Sequence, residues 1–250
     1  MSKLPLWDEI KAAFRHFFGH LRWFEAAAWP WLVILVLWKA LAAALGLPVQ
    51  YPEADQLVEV CWQWIAEIGV AVAWHRAILL GEPIAGRPRF GRAELRFLGV
   101  GVVLSLAMAL PFLPAAVAAV AGAQRVAVGG LVLLGGTVAT IAAVLAARCY
   151  LALPGAAIGS PIGLDASWRR TRGNGWRIFW GLIGCAVPGS AAVFGWDSLT
   201  RAISPPGDLG YELASLVTAG LSLAGTAIIA GFLSFSYLWF DRSDRGTPPH

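Results

Sequence analysis

Glu59, Gln63 and Glu67 recur at every fourth position of one long apolar run, and Lys39 stands inside the run before it. Spacing by four puts the three acidic and amide side chains on one slowly drifting stripe of a helix. An isolated charge at the centre of a membrane helix costs about 2.5–3.5 kcal/mol on insertion scales, so such groups need a partner or a task. Lys39 and Glu67 each stand about ten residues into their runs, which makes an ion pair between them geometrically reasonable. Two kinds of chemistry fit that pair. It could hold a proton or small cation, or it could be a neutralised pair that fixes the register of two helices without adding stability. Glu59 falls nearer the outer end of its run, where solvation makes a carboxylate ordinary.

His16 and His20 stand at i, i+4 and could share a metal, but a zinc site needs more ligands. Asp8 and Glu9 are about two turns away, and no other His or Cys is close. No metal or cofactor is expected. The chain also lacks a Walker loop, HExxH, CxxC or a nucleophile paired with a base, so no catalytic residue is assigned and a non-enzymatic protein is expected.

The elements that position these residues follow from composition. The 250-residue chain is 58% hydrophobic and 14% charged, with a mean hydropathy of +0.66, whereas soluble domains carry about 25% charged residues. Six apolar runs, at about 29–47, 57–80, 97–121, 126–147, 176–196 and 211–240, approximate the ~20 residues that cross ~30 Å of hydrocarbon as a helix. The expected fold is all-α: one integral membrane domain over 1–250, six transmembrane helices paired as three hairpins. Pro111, Pro114 and Pro188 interrupt spans and favour kinks. Small residues, among them Ala115, Gly122, Gly135, Gly136, Gly181, Gly184, Gly220, Ala224 and Gly231, predict close helix packing. Phe235, Tyr237, Trp239 and Phe240 are placed as an aromatic belt at the inner interface.

Orientation comes from the basic residues. Of 19, sixteen fall at the N-terminus, in or beside the segments at 76–96 and 148–177, or at the C-terminus, leaving Arg125, Arg201 and Lys39. This positive-inside bias puts both termini in the cytoplasm. Sixteen arginines against three lysines, with Asn174 the only asparagine, point to a GC-rich bacterial genome and hence the bacterial inner membrane. The basic residues sit beside spans, which argues against nucleic acid as a partner. Anionic lipid headgroups at the cytoplasmic face are the expected partners, with Arg76, Arg148, Arg169, Arg170, Arg172 and Arg177 as contacts. Other membrane proteins or a second copy are further partners.

Before the first span, 1–28 carries Ile10, Phe14, Phe17, Leu21 and Phe24 on one side and Asp8, Lys11, Arg15 and Arg22 on the other. This is the pattern of an amphipathic helix lying in the headgroup plane. A second basic helix is expected over 164–172, stopped by Gly173, with His75 and Arg76 reaching headgroups. Phe14-Arg15-His16-Phe17-Phe18-Gly19-His20 can be laid on Trp168-Arg169-Arg170-Thr171-Arg172-Gly173-Asn174, so the chain reads as three units of basic segment plus hairpin.

The stretches Ala73-Trp74-His75-Arg76, Arg148-Cys149-Tyr150-Leu151-Ala152-Leu153-Pro154 and Leu164 to Arg177 carry a resemblance. Together they resemble uncharacterised multi-span inner-membrane proteins and, more distantly, the YciC-like proteins and the membrane domain joined to some glycerophosphodiester phosphodiesterases. The resemblance implies a six-helix membrane protein without an established activity, supporting membrane or envelope homeostasis through lipid or membrane-protein contacts. The alternative is a small proton- or cation-coupled transporter using Lys39 and Glu67.

Overall fold

The computed structural model describes residues 3–46, 52–120, 125–160, 162–204 and 209–244, and no strand occurs among them. The helices are α1 (Leu6–Gly19), α2 (Leu21–Ala44), α3 (Pro52–Leu80), α4 (Arg92–Ala109), α5 (Leu113–Val120), α6 (Arg125–Ala147), α7 (Ala152–Ile158), α8 (Leu164–Arg170), α9 (Gly175–Ile203) and α10 (Leu209–Asp244). Six stretches are long and apolar enough to cross a membrane: Leu21–Ala44, Leu57–Leu80, Arg92–Ala119, Gly129–Ala147, Gly175–Ile203 and Gly210–Asp244. The protein is an all-α, multi-pass membrane protein. Its hairpins α2–α3, α4/α5–α6 and α9–α10 all pack pairwise. Leu47, Ala121, Gly122, Ala123, Gln124 and Arg245 lie outside the described residues.

Local sequence explains the ends and breaks. Pro111 stands in a 3-10 turn, Leu110–Phe112, between α4 and α5, because proline supplies no amide hydrogen for a continuous α-helix. Pro188, by contrast, lies inside an unbroken α9. Gly81, Gly159 and Gly173 have φ of 67°, 75° and 79° and turn the chain just beyond α3, α7 and α8.

The last helix is the hub. α10 packs on α9, α3, α1, α2 and α7, and its buried Leu223, Ala227, Phe232 and Leu233 belong to one core shared with α1, α2, α3 and α9. Phe232 sits directly on Gly181, where a Cβ would have no room. Trp31 closes on Gly69 in the same way. The α4–α6 hairpin is peripheral and presents Leu106, Leu133 and Ile141 outward.

Three expectations change. The amphipathic segment does not run through 28: α1 ends at Gly19 and α2 begins at Leu21, carrying Pro30 inside it. The apolar face of α1 is spent on protein, with Ile10 against Gly184 in α9, Ala13 against Gly231 in α10 and Phe17 near Trp74 in α3. The aromatic belt is also internal: Tyr237, Trp239 and Phe240 are buried, because α10 is enclosed by its neighbours. Finally, Gly19 is helical while Gly173 is left-handed, so the two basic segments laid on each other do not share a backbone form.

Both basic loops gather at one end of the bundle with Leu4 and Asp244, which stand near the two ends of the described chain. Leu4 N–H donates to Asn174 Oδ1 at 2.9 Å, Arg76 Nη1 donates to Ala157 O at 3.0 Å, and Arg170 Nε pairs with Asp244 Oδ2 at 3.2 Å. Lys39, Glu59 and Glu212 mark the other end.

Candidate functional site

Lys39 stands five residues before the end of α2, roughly 8 Å from it at 1.5 Å per residue. At that depth α3 offers Glu59 and α10 offers Glu212. Lys39 Nζ donates to Glu59 Oε1 at 2.5 Å and to Glu212 Oε2 at 2.7 Å. One ammonium thus joins three helices. The Lys39 side chain is 19% exposed, against 35% and 39% for the carboxylates, so the clamp faces an opening rather than a sealed core. That opening is a cavity of about 430 Å³ between α2, α3, α9 and α10, lined by Lys39, Glu59, Gln63, Asp197, Thr200, Tyr211, Ser215, Thr218 and Ser222. Asp197 pairs with Arg201 at 2.7 Å, and Trp196 Nε1 donates to Ala214 O at 2.9 Å, tying α9 to α10 beside it.

The expected Lys39–Glu67 pair does not form. Glu67 lies eight residues deeper on α3 than Glu59, about 12 Å along the axis. Counting Lys39 from the start of the apolar run placed it too deep, since α2 begins well before Trp29 and ends at Ala44. Glu67 instead accepts from Gln63 Nε2 at 2.7 Å. It lines a second, mostly apolar cavity of about 540 Å³, together with Ser105, Tyr150 and His75.

His75 continues the stripe, since 59, 63, 67, 71 and 75 all step by four. It is fully buried, not at a headgroup surface, and its Nδ1 lies 2.8 Å from Ser234 Oγ on α10. Its Nε2 has no hydrogen-bond partner. One face of α3 therefore carries a charged clamp, an amide–carboxylate pair and an imidazole in succession toward the basic end. Glu212 and Asp197 were missed from sequence, and His75 was read only as a helix end reaching headgroups. The unexplained lysine was the available signal for Glu212, since it demanded carboxylates near the same end of a neighbouring span.

Most arginines expected at headgroups hold the protein together. Arg76 Nε and Nη2 donate to both oxygens of Glu82 at 2.8 and 2.5 Å, while Nη1 reaches the last turn of α7. Arg148 Nη2 donates to Trp168 O at 2.6 Å, with its guanidinium 3.6 Å from the Trp168 ring centroid. The Arg148 carbonyl accepts from Ser167 Oγ at 2.6 Å and Thr171 Oγ1 at 3.0 Å, fastening α8 to the end of α6. Arg177 Nη1 donates to Leu4 O at 2.7 Å. Arg170 faces Asp241 and Asp244, Arg169 pairs with Asp165, and Arg172 is exposed.

His16 and His20 stack at 4.2 Å between ring centroids, and His20 Nδ1 lies 2.9 Å from His16 O. Among the described residues no cluster of three or more His, Cys, Asp or Glu side chains could hold a metal. No protein-family model, curated protein or solved structure matches the chain.

Proposed function

We propose that this chain is a non-enzymatic protein of the bacterial inner membrane, with both termini cytoplasmic, that works as a small proton- or cation-coupled transporter. The observation that carries this is Lys39 shared between Glu59 and Glu212 inside a polar cavity. A cation entering the cavity competes with the ammonium for the same carboxylates. A proton on either carboxylate weakens the clamp in the same way, because it removes the charge that holds Lys39. Since α2, α3 and α10 meet at this one ammonium, either event favours a different arrangement of three helices, which gives the differential interaction a conformational change requires. Gln63 and Glu67 supply the next polar station along α3. Lys39 serves as the resident cation and Glu59 and Glu212 as the exchange sites, a role given to Glu67 on sequence alone.

The test is reconstitution into liposomes holding an internal pH dye, with inward Na⁺ or K⁺ gradients imposed in turn. Coupled proton movement is expected with at least one gradient, falling to the protein-free rate in Glu59→Gln/Glu212→Gln. Parent protein indistinguishable from empty liposomes under both gradients would end this reading. Support of membrane or envelope homeostasis through lipid or membrane-protein contacts is the second reading. It is favoured by Arg87, Arg89 and Arg92, whose guanidinium groups have no hydrogen bond or ion pair among the described residues.

A further inference from the structure

We infer that the basic end carries a built site for one anionic, phosphate-bearing lipid, in the cavity between α2, α3 and the first turn of α4. This site is separate from the Lys39 clamp and does not rest on the transport reading.

The cavity holds about 430 Å³. Its mouth is formed by the segment that links α3 to α4, with the exposed side chains of Arg87, Arg89 and Arg92. Among the described residues, none forms a hydrogen bond or ion pair with these three guanidinium groups. The contrast with Arg76, Arg148, Arg170 and Arg177, all held by protein acceptors, is the first part of the argument. The nearby carboxylates are already engaged. Glu82 is taken by Arg76, and the buried Glu94 accepts the Gly91 N–H at 2.8 Å, fixing the start of α4. Arg87, Arg89 and Arg92 outnumber Glu94, the one lining carboxylate without an arginine partner, so the rim is net positive beside the N-terminus of an 18-residue helix, whose dipole adds in the same sense.

The floor supplies the second part. Below the arginines the cavity is lined by Ala73 and Val72 of α3 and closed by the Trp31 ring of α2 packed on Gly69. From Arg76 to Gly69 is about 10 Å of helix. A free phosphate needs only the rim. A cavity with a cationic rim and an apolar floor at the edge of a membrane bundle matches a phosphodiester joined to an acyl chain, with arginine forks on the phosphate oxygens. Arg89 and its neighbours thus take the role the spacing had assigned to Arg148 and Arg170.

The test uses the full chain purified in a mild neutral detergent, with retained lipid counted by native mass spectrometry. Phosphatidylglycerol is titrated against phosphatidylcholine. One saturable phosphatidylglycerol per chain is expected, with no comparable phosphatidylcholine. Arg87→Gln/Arg89→Gln/Arg92→Gln should weaken retention on the order of a hundredfold, as three basic contacts at ~1 kcal/mol each imply. Arg15→Gln/Arg169→Gln/Arg172→Gln removes equal charge elsewhere on the same end and should change it less than about twofold on the same scale. Ala73→Leu, which fills the floor and leaves every charge in place, should also weaken it. Equal losses in both triple variants would mean diffuse surface attraction and overturn the site. So would undiminished retention in the first triple variant or in Ala73→Leu, or displacement of the lipid by millimolar inorganic phosphate, which would mark a free-phosphate site.

Discussion

Glu9 brings a carboxyl into the contact between α1 and the bundle. Burial pushes it up to about 7, and Asp8 adds to the rise while Arg242 opposes it. Between the ordinary value of 4.5 and about 7, the folded chain binds more protons here than the unfolded chain does. Stability from this residue is full below that window and is lost as the pH rises through 7. His16, on the same helix, is lowered from 6.5 by burial and then by His20. Its contribution has the opposite sense: present above 6.5 and lost as the solution becomes more acidic. Docking of α1 should therefore be stronger in mildly acidic solution than above pH 7. Thermal unfolding in detergent between about pH 5 and 9 should show stability declining as the pH rises to about 7, a slope that Glu9→Gln flattens. An unchanged slope in that variant would remove Glu9 as its origin. At this scale the chain's own letters told part of the story. The stripe of Glu59, Gln63 and Glu67 was legible because helical spacing is a property of sequence. The partner of Lys39 was not, since Glu212 is 173 positions away and only the packing of α10 between α2 and α3 brings it there.

The α9–α10 contact depends on a ring seated over a missing side chain, Phe232 on Gly181. Gly181→Ala should cost about 1–3 kcal/mol through overpacking. Gly220, with nothing within 4 Å of a built Cβ, should accept alanine without loss. Thermal unfolding of the two variants side by side separates a specific contact from a general demand for glycine, and equal melting temperatures would refute the contact. Both glycines look alike in sequence, which is why small-residue patterns gave a compact bundle but not its seams. The spans themselves were legible from length and hydropathy, and the break at Pro111 from proline chemistry. α7 escaped, because seven residues of alanine, leucine, isoleucine, proline and glycine after Arg148 carry no amphipathic period. The aromatic cluster at the end of α10 was misplaced for a related reason: aromatic residues suit a lipid interface and a protein core equally well, and only the neighbours decide.

Taken whole, the molecule has a basic end, where both loops are knitted together with Leu4 and Asp244, and an opposite end marked by Lys39 and Arg201. Impermeant maleimide on intact cells should label Arg201→Cys and spare Arg89→Cys until lysis, with Cys61, Cys149 and Cys185 replaced by alanine. Labelling of both before lysis would refute the two-ended arrangement. The central place of α10 has a further consequence in time. Chains emerge from the ribosome N-terminus first, yet the helix on which α1, α2, α3 and α9 all pack is made after every one of them. Until it enters, Lys39 lacks the carboxylate of Glu212, and α1 has no Gly231 to rest on. The five earlier spans wait as a half-built shell, and a stop codon before Glu212 would leave Lys39 without that partner.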